Sequence, residues 1–215
     1  RGAELYLVSS EHLGAWMRTP AHLEALDGWL GSLFSGVRYV LYVRRQEDRI
    51  LSLYSQALRA GSTEGLGTFV RAHLRLDYHE VATLGAGALG RDRFDLRLLE
   101  RDARAGGDLI RDYCAAAGID PEGLERPERE NEALSVAAAT FLRELNRRLE
   151  PRGGAGPRSN PMMKGVQERL TRWYAGDRKL RLSPRQVATI REANAETNAR
   201  LCAEFFPQRK ALFAE

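Results

Sequence analysis

The chain has 215 residues, 43% hydrophobic and 29% charged, with a net charge of +4. That is enough chain for a sizeable globular core, and no apolar run approaches the roughly 20 residues that a membrane-crossing helix needs. The 33 lysines and arginines include only three lysines, Lys164, Lys179 and Lys210, and they are mixed with acids along the chain. Such dispersal argues against a nucleic-acid surface.

Leu5 to Val8 (LYLV) is β-prone and predicts a short first strand. The following SSEHL leads to a helical region from about Pro20 to Phe34. YVLYV, residues 39–43, is β-branched and aromatic without a charge, which predicts a buried second strand. Arg44 and Arg45 end that run, and a helix with Glu47 and Asp48 in its first turn follows, the acids suiting the positive end of the helix dipole. Residues 61–67 read as a loop, with helices over 68–74 and 78–89 and a stop at Gly90. RFDLRLLE, residues 93–100, alternates like a strand. DLIRDYCAAAGI reads as an amphipathic helix closed by Gly118. This alternation predicts an α/β protein with a parallel sheet covered by helices.

Further on, residues 134–149 predict another helix, and 151–161 (PRGGAGPRSNP) a flexible loop. Ser183-Pro184 pairs an N-cap with proline at the first helical position, opening a helix that should stop at Pro207. The expected layout is an α/β core over 1–150, the loop over 151–161, and a helical part of the same domain over 162–215. Cys114 and Cys202 lie in apolar helical settings and read as buried thiols. The histidines His12, His22, His73 and His79 form no metal motif. Together these features predict a cytoplasmic protein without a structural metal.

The stretch RRQEDRILSLYSQ resembles the 3′-phosphate-binding segment of sulfotransferases that use 3′-phosphoadenosine 5′-phosphosulfate (PAPS), in which an arginine at a strand end precedes a helix serine by eight residues. Arg44 and Ser52 stand in those places. Gln46, followed by the S-x-Y-S-Q ending, resembles the bacterial glycan and capsular polysaccharide branch. LVSSEHL, DRFDLRLLE, GGDLIRDYCAAAGID, NEALSVAAATFLRELN and LSPRQVATIREANAETNARL resemble further segments of that branch in order, so the resemblance covers nearly the whole chain. It implies a three-layer α/β sandwich of the P-loop-NTPase-like sulfotransferase fold. It also implies PAPS as donor co-substrate, and a carbohydrate or glycolipid hydroxyl as acceptor. The family's N-terminal Gly/Ser/Thr loop with lysine, which holds the 5′-phosphosulfate, has no counterpart here. Together with a start at Arg1, that predicts missing upstream residues and an inactive fragment. Lys164-Gly165 resembles a nucleotide contact of the cytosolic branch, without its flanking residues.

By the same resemblance, Arg44 and Ser52 would bind the 3′-phosphate, and Glu11 or His12 would be the general base. Each residue has a plainer reading. Arg44 pairs with Glu47 or Asp48. Ser9, Ser10 and Glu11 cap a helix. Arg45 and Arg49 are surface cations, and Arg97 pairs with Glu100. Tyr42, Tyr54, Trp16, Trp29 and Trp173 mostly pack in the core. The alternative function is a non-catalytic sulfotransferase-like module that binds a glycan or a protein.

Overall fold

The computed structural model describes residues 5–10, 18–100, 103–125, 134–149, 165–166, 169–170, 172–174 and 176–214. These hold seven α-helices and two strands. In chain order they are α1 (Pro20–Gly31), β1 (Tyr39–Val43), α2 (Gln46–Arg59), α3 (Leu66–Ala72), α4 (Tyr78–Leu89), β2 (Phe94–Leu98), α5 (Leu109–Ala117), α6 (Val136–Leu149) and α7 (Pro184–Phe205). The protein is α/β and mostly helical. No described helix is long and apolar enough to cross a membrane. The loop expected at 151–161 and the Lys164 of Lys164-Gly165 lie outside the described residues.

Two compact units divide the chain. The first gathers residues 1–44, 77–124 and 195–215, and the second residues 45–76 and 125–194. Residues 184–194 of α7 belong to the second unit and 195–205 to the first.

The first unit is built on β1 and β2, which pair in parallel from Tyr39↔Phe94 to Val43↔Leu98. Alternation gives the pair two chemically different faces. Leu41, Val43, Phe94, Leu96 and Leu98 join an apolar cluster with Ala82 of α4, Leu201 and Cys202 of α7, and Leu212. Arg97 and Asp95 of β2, with Tyr42 of β1, make the other face polar. Helix α4 approaches β2 closely at Gly85, where an added Cβ would stand 2.5 Å from the Phe94 ring. Asp77 caps α4 by accepting from the Glu80 amide at 2.9 Å, and Gly90, at φ 87°, ends it. Both cysteines are buried.

The expected first strand does not form. Leu5–Val8 has no ladder partner among the described residues, and its side chains stay exposed, up to 78% at Val8. A β-prone composition makes a strand only when a partner supplies the hydrogen bonds. Tyr6 instead leans on Phe34, ring centroids 5.3 Å apart. Helix α1 begins at Pro20 behind a Thr19 cap, as proline at the first position favours, and ends at Gly31, earlier than the expected Phe34.

The second unit packs Ile50, Tyr54 and Leu58 of α2 against Phe69 and Val70 of α3, Ala138, Ala139 and Leu142 of α6, and Ile190 of α7. Two buried asparagines close its helix ends. Asn146 Nδ2 donates to the carbonyls of Leu58 and Ser62 at 2.8 and 2.9 Å, terminating α2. Asn194 Nδ2 donates to Leu74 and Ile190, while its Oδ1 accepts from the Leu76 amide at 2.9 Å. Ser183 and Gln186 form a reciprocal cap at the start of α7.

Two substitutions test these packings by chemical denaturation. Asn194→Ala takes the side-chain partner from the Leu74 carbonyl and the Leu76 amide at a site 1% exposed, and is expected to cost about 2–3 kcal/mol. Gly85→Ala gains about 1 kcal/mol of helix propensity but drives a methyl into Phe94, so a net loss of about 1–2 kcal/mol is expected. A neutral result for either removes the role given to that residue.

Candidate functional site

The candidate nucleotide segment begins where β1 ends. Arg44 directly follows Val43, the last strand residue, and is half-buried. Arg45 directly precedes α2, at φ −45° and ψ 134°. The helix opens at Gln46 with Glu47 and Asp48 in its first turn, and half-buried Ser52 sits in the second. Arg44 belongs to the first unit and Ser52 to the second. Arg45 and Arg49, read from sequence as surface cations, are half-buried. Glu11 and His12 lie outside the described residues.

Glu47 has a partner that the sequence did not suggest. Its Oε1 accepts from Arg191 Nε of α7 at 2.8 Å, with the Glu47 side chain only 11% exposed. Both residues belong to the second unit.

The polar face of the strand pair carries a dense network just before Arg44. Asp112 of α5, 2% exposed, is its centre. Arg97 donates to both carboxylate oxygens, Nε to Oδ2 at 2.8 Å and Nη2 to Oδ1 at 2.7 Å, and its Nη1 donates to Asp95 at 2.9 Å. Tyr42, opposite Arg97 in the register, donates its hydroxyl to Asp112 Oδ2 at 2.7 Å. The Ala105 amide donates to Oδ1 at 3.0 Å from the 3₁₀ turn before α5. Where the sequence offered Glu100 as a partner for Arg97, all three guanidinium nitrogens donate to Asp112 and Asp95. The reason is geometric: Asp112, one turn into α5, presents both oxygens to a planar fork.

A second arrangement of the same kind holds α1. Tyr39 donates to Asp27 Oδ1 at 2.8 Å, and Arg93 donates to both Asp27 oxygens at 2.7 and 2.9 Å. Tyr39 and Tyr42 are three apart on one strand and so face opposite ways. Each face of β1 therefore ties down one helix through a tyrosine, an aspartate and an arginine.

The charges respond accordingly. Arg97 beside Asp112, with help from Tyr42 and the Ala105 amide, holds that carboxyl well below the usual range despite burial. The Arg97 guanidinium is pushed up, first by Asp112. Burial, then the hydrogen bond to Asp112, pushes the Tyr42 phenol up, so it stays a neutral donor. Arg93, then Tyr39, lowers the Asp27 carboxyl.

Aromatic placement divides. Tyr54 is core, 2% exposed, its hydroxyl donating to the Glu64 carbonyl at 3.1 Å. Trp29 and Trp173 are the exceptions to an expectation that most of these aromatics pack inside, at 62% and 75% exposed. Trp16 lies outside the described residues. An open groove of about 460 Å³ on the first unit is lined by Asp77, His79, Glu80, Thr83, Leu84 and Arg200, none of them a residue the sequence nominated.

No family profile, curated protein or solved structure matches the chain.

The Asp112 network makes a pH prediction. A carboxyl depressed in the folded state adds stability above its unfolded value, about pH 4. That stability is lost as the pH falls through the folded value. Asp112→Asn is expected to cost about 3 kcal/mol at neutral pH, the low end for a broken buried pair, because Arg97 remains partly exposed. The variant should also lose much of the acid dependence between pH 5 and 2. Denaturation midpoints measured across pH would refute this if both proteins traced parallel curves.

Proposed function

We propose that the chain is a cytoplasmic member of the sulfotransferases that move a sulfuryl group from PAPS to a hydroxyl of a carbohydrate or glycolipid, inactive by itself because the loop that holds the 5′-phosphosulfate has no counterpart in it. The finer fold proposed is the three-layer, P-loop-like sandwich of that family. The observation that carries the reading is local: the stretch with the family's arginine–serine spacing folds as a parallel strand ending immediately before Arg44 and a helix bearing Ser52 in its second turn. In open α/β sheets, ligands sit at the carboxyl ends of parallel strands.

In this reading Arg44 donates charge-assisted hydrogen bonds to the nucleotide's 3′-phosphate, and Ser52 adds a hydroxyl donor. The reaction forms a bond from the acceptor oxygen to sulfur and breaks the bond from sulfur to the bridging oxygen of the phosphosulfate. It releases 3′-phosphoadenosine 5′-phosphate. The hydroxyl proton goes to Glu11 or His12, an assignment resting on sequence alone. Positioning and charge stabilisation carry such transfers.

Calorimetric titration with 3′-phosphoadenosine 5′-phosphate and with 5′-AMP tests the reading. The 3′-phosphate is expected to tighten binding at least tenfold, and Arg44→Ala to abolish that preference, a loss of about 1.5–3 kcal/mol. Equal affinity for both nucleotides would sink it.

A further inference from the structure

The sheet of the first unit has an open edge. The Tyr39 amide donates to the Arg93 carbonyl and the Leu99 amide to the Val43 carbonyl, both at 2.8 Å, so Tyr39, Leu41 and Val43 direct their backbone groups at β2. Val40 and Tyr42 direct theirs the other way, where no strand pairs with β1 among the described residues. An edge of this kind is a template for a further strand. The same unit carries a strand without a sheet. Leu5–Val8 is β-prone, has no main-chain hydrogen bond among the described residues, and exposes its side chains from 49% at Leu7 to 78% at Val8. Tyr6 rests on Phe34, five residues before β1, which holds the segment without pairing it. Leu33, beside Phe34 in sequence, and Trp29, one turn earlier, are exposed as well.

A chain that holds both an open edge and an unpaired strand fits a second copy of itself, because exchange between two copies satisfies both features at once. Charge favours the same occupant. Residues 5–10 and 39–43 carry no charge, in a protein with 33 lysines and arginines, so a twofold contact there brings no like charges together. We propose that the chain forms a twofold dimer in which Leu5–Val8 of each copy adds as a third strand to the β1 edge of the other. The proposal does not depend on the nucleotide reading.

Sedimentation equilibrium tests the assembly, with the apparent mass expected to rise toward twice that of the chain as concentration increases. Leu7→Pro combined with Val8→Pro removes a donor whichever of the two residues faces β1. Both positions are exposed, so this variant should keep its fold by circular dichroism and stay a monomer. Disulfide trapping locates the contact. Chains with Leu7→Cys or Val8→Cys, one of which stands on the Val40 side of the sheet, are mixed with chains carrying Val40→Cys. Oxidation is expected to join one of those mixtures, whereas Trp173→Cys, exposed on the second unit, should join neither segment variant. The native Cys114 and Cys202 are buried. A chain that stays monomeric at every concentration overturns the proposal. So does a dimer that survives both prolines, or a disulfide that links two copies of the segment instead of segment and β1. Val40→Cys combined with Leu7→Cys or Val8→Cys in one chain gives the last check. A disulfide closed within that single chain in dilute solution means that Leu5–Val8 pairs with its own sheet, and likewise overturns it.

Discussion

The two-stranded sheet depends on the carboxylate of Asp112. A parallel pair of five-residue strands has little stability of its own, and one face here is polar. Arg97, Tyr42 and the Ala105 amide converge on one buried aspartate and turn that face into a fastening for α5. The opposite face buries Leu41, Val43, Leu96 and Leu98 by the hydrophobic effect. Asp27 repeats the arrangement for α1 in a more exposed setting. The strand that leads into Arg44 is thus fixed by directional bonds on both faces and by apolar packing on one of them.

Much of this architecture is written in local pattern. YVLYV and FDLRL are compact β-prone runs, and both form strands. Asp77 and Gly90 bracket α4 as a cap and a stop, and Gly118, at φ 70°, closes α5 in the left-handed conformation where glycine is favoured. Leu5–Val8 has the same composition as a strand yet none of the pairing, since propensity does not reveal whether a neighbour is present. Trp29 and Trp173 are exposed although their apolar spacing suits a core, because spacing does not reveal what lies on the other side of an aromatic.

The candidate site was legible in part. Arg44 and Ser52 could be singled out because strand end, turn and helix are contiguous in sequence. Asp112 and Arg191 could not, since each meets its partner through the fold. Asp112 nevertheless leaves a trace: it occupies a buried position of α5 near Cys114 and Ala116, a place where an unpaired acid would be costly. Arg191 leaves none, being one of three arginines on α7.

The first unit takes its core from three separated stretches of chain. Val43, Leu96 and Leu98 share one apolar cluster with Leu201, Cys202 and Leu212. During synthesis, therefore, the apolar face of the strand pair emerges from the ribosome long before the residues that cover it. At about 5–20 residues per second, the interval between Leu98 and Leu201 is roughly 5–20 s. Throughout it the nascent chain presents an unfinished sheet, the kind of surface that chaperones bind.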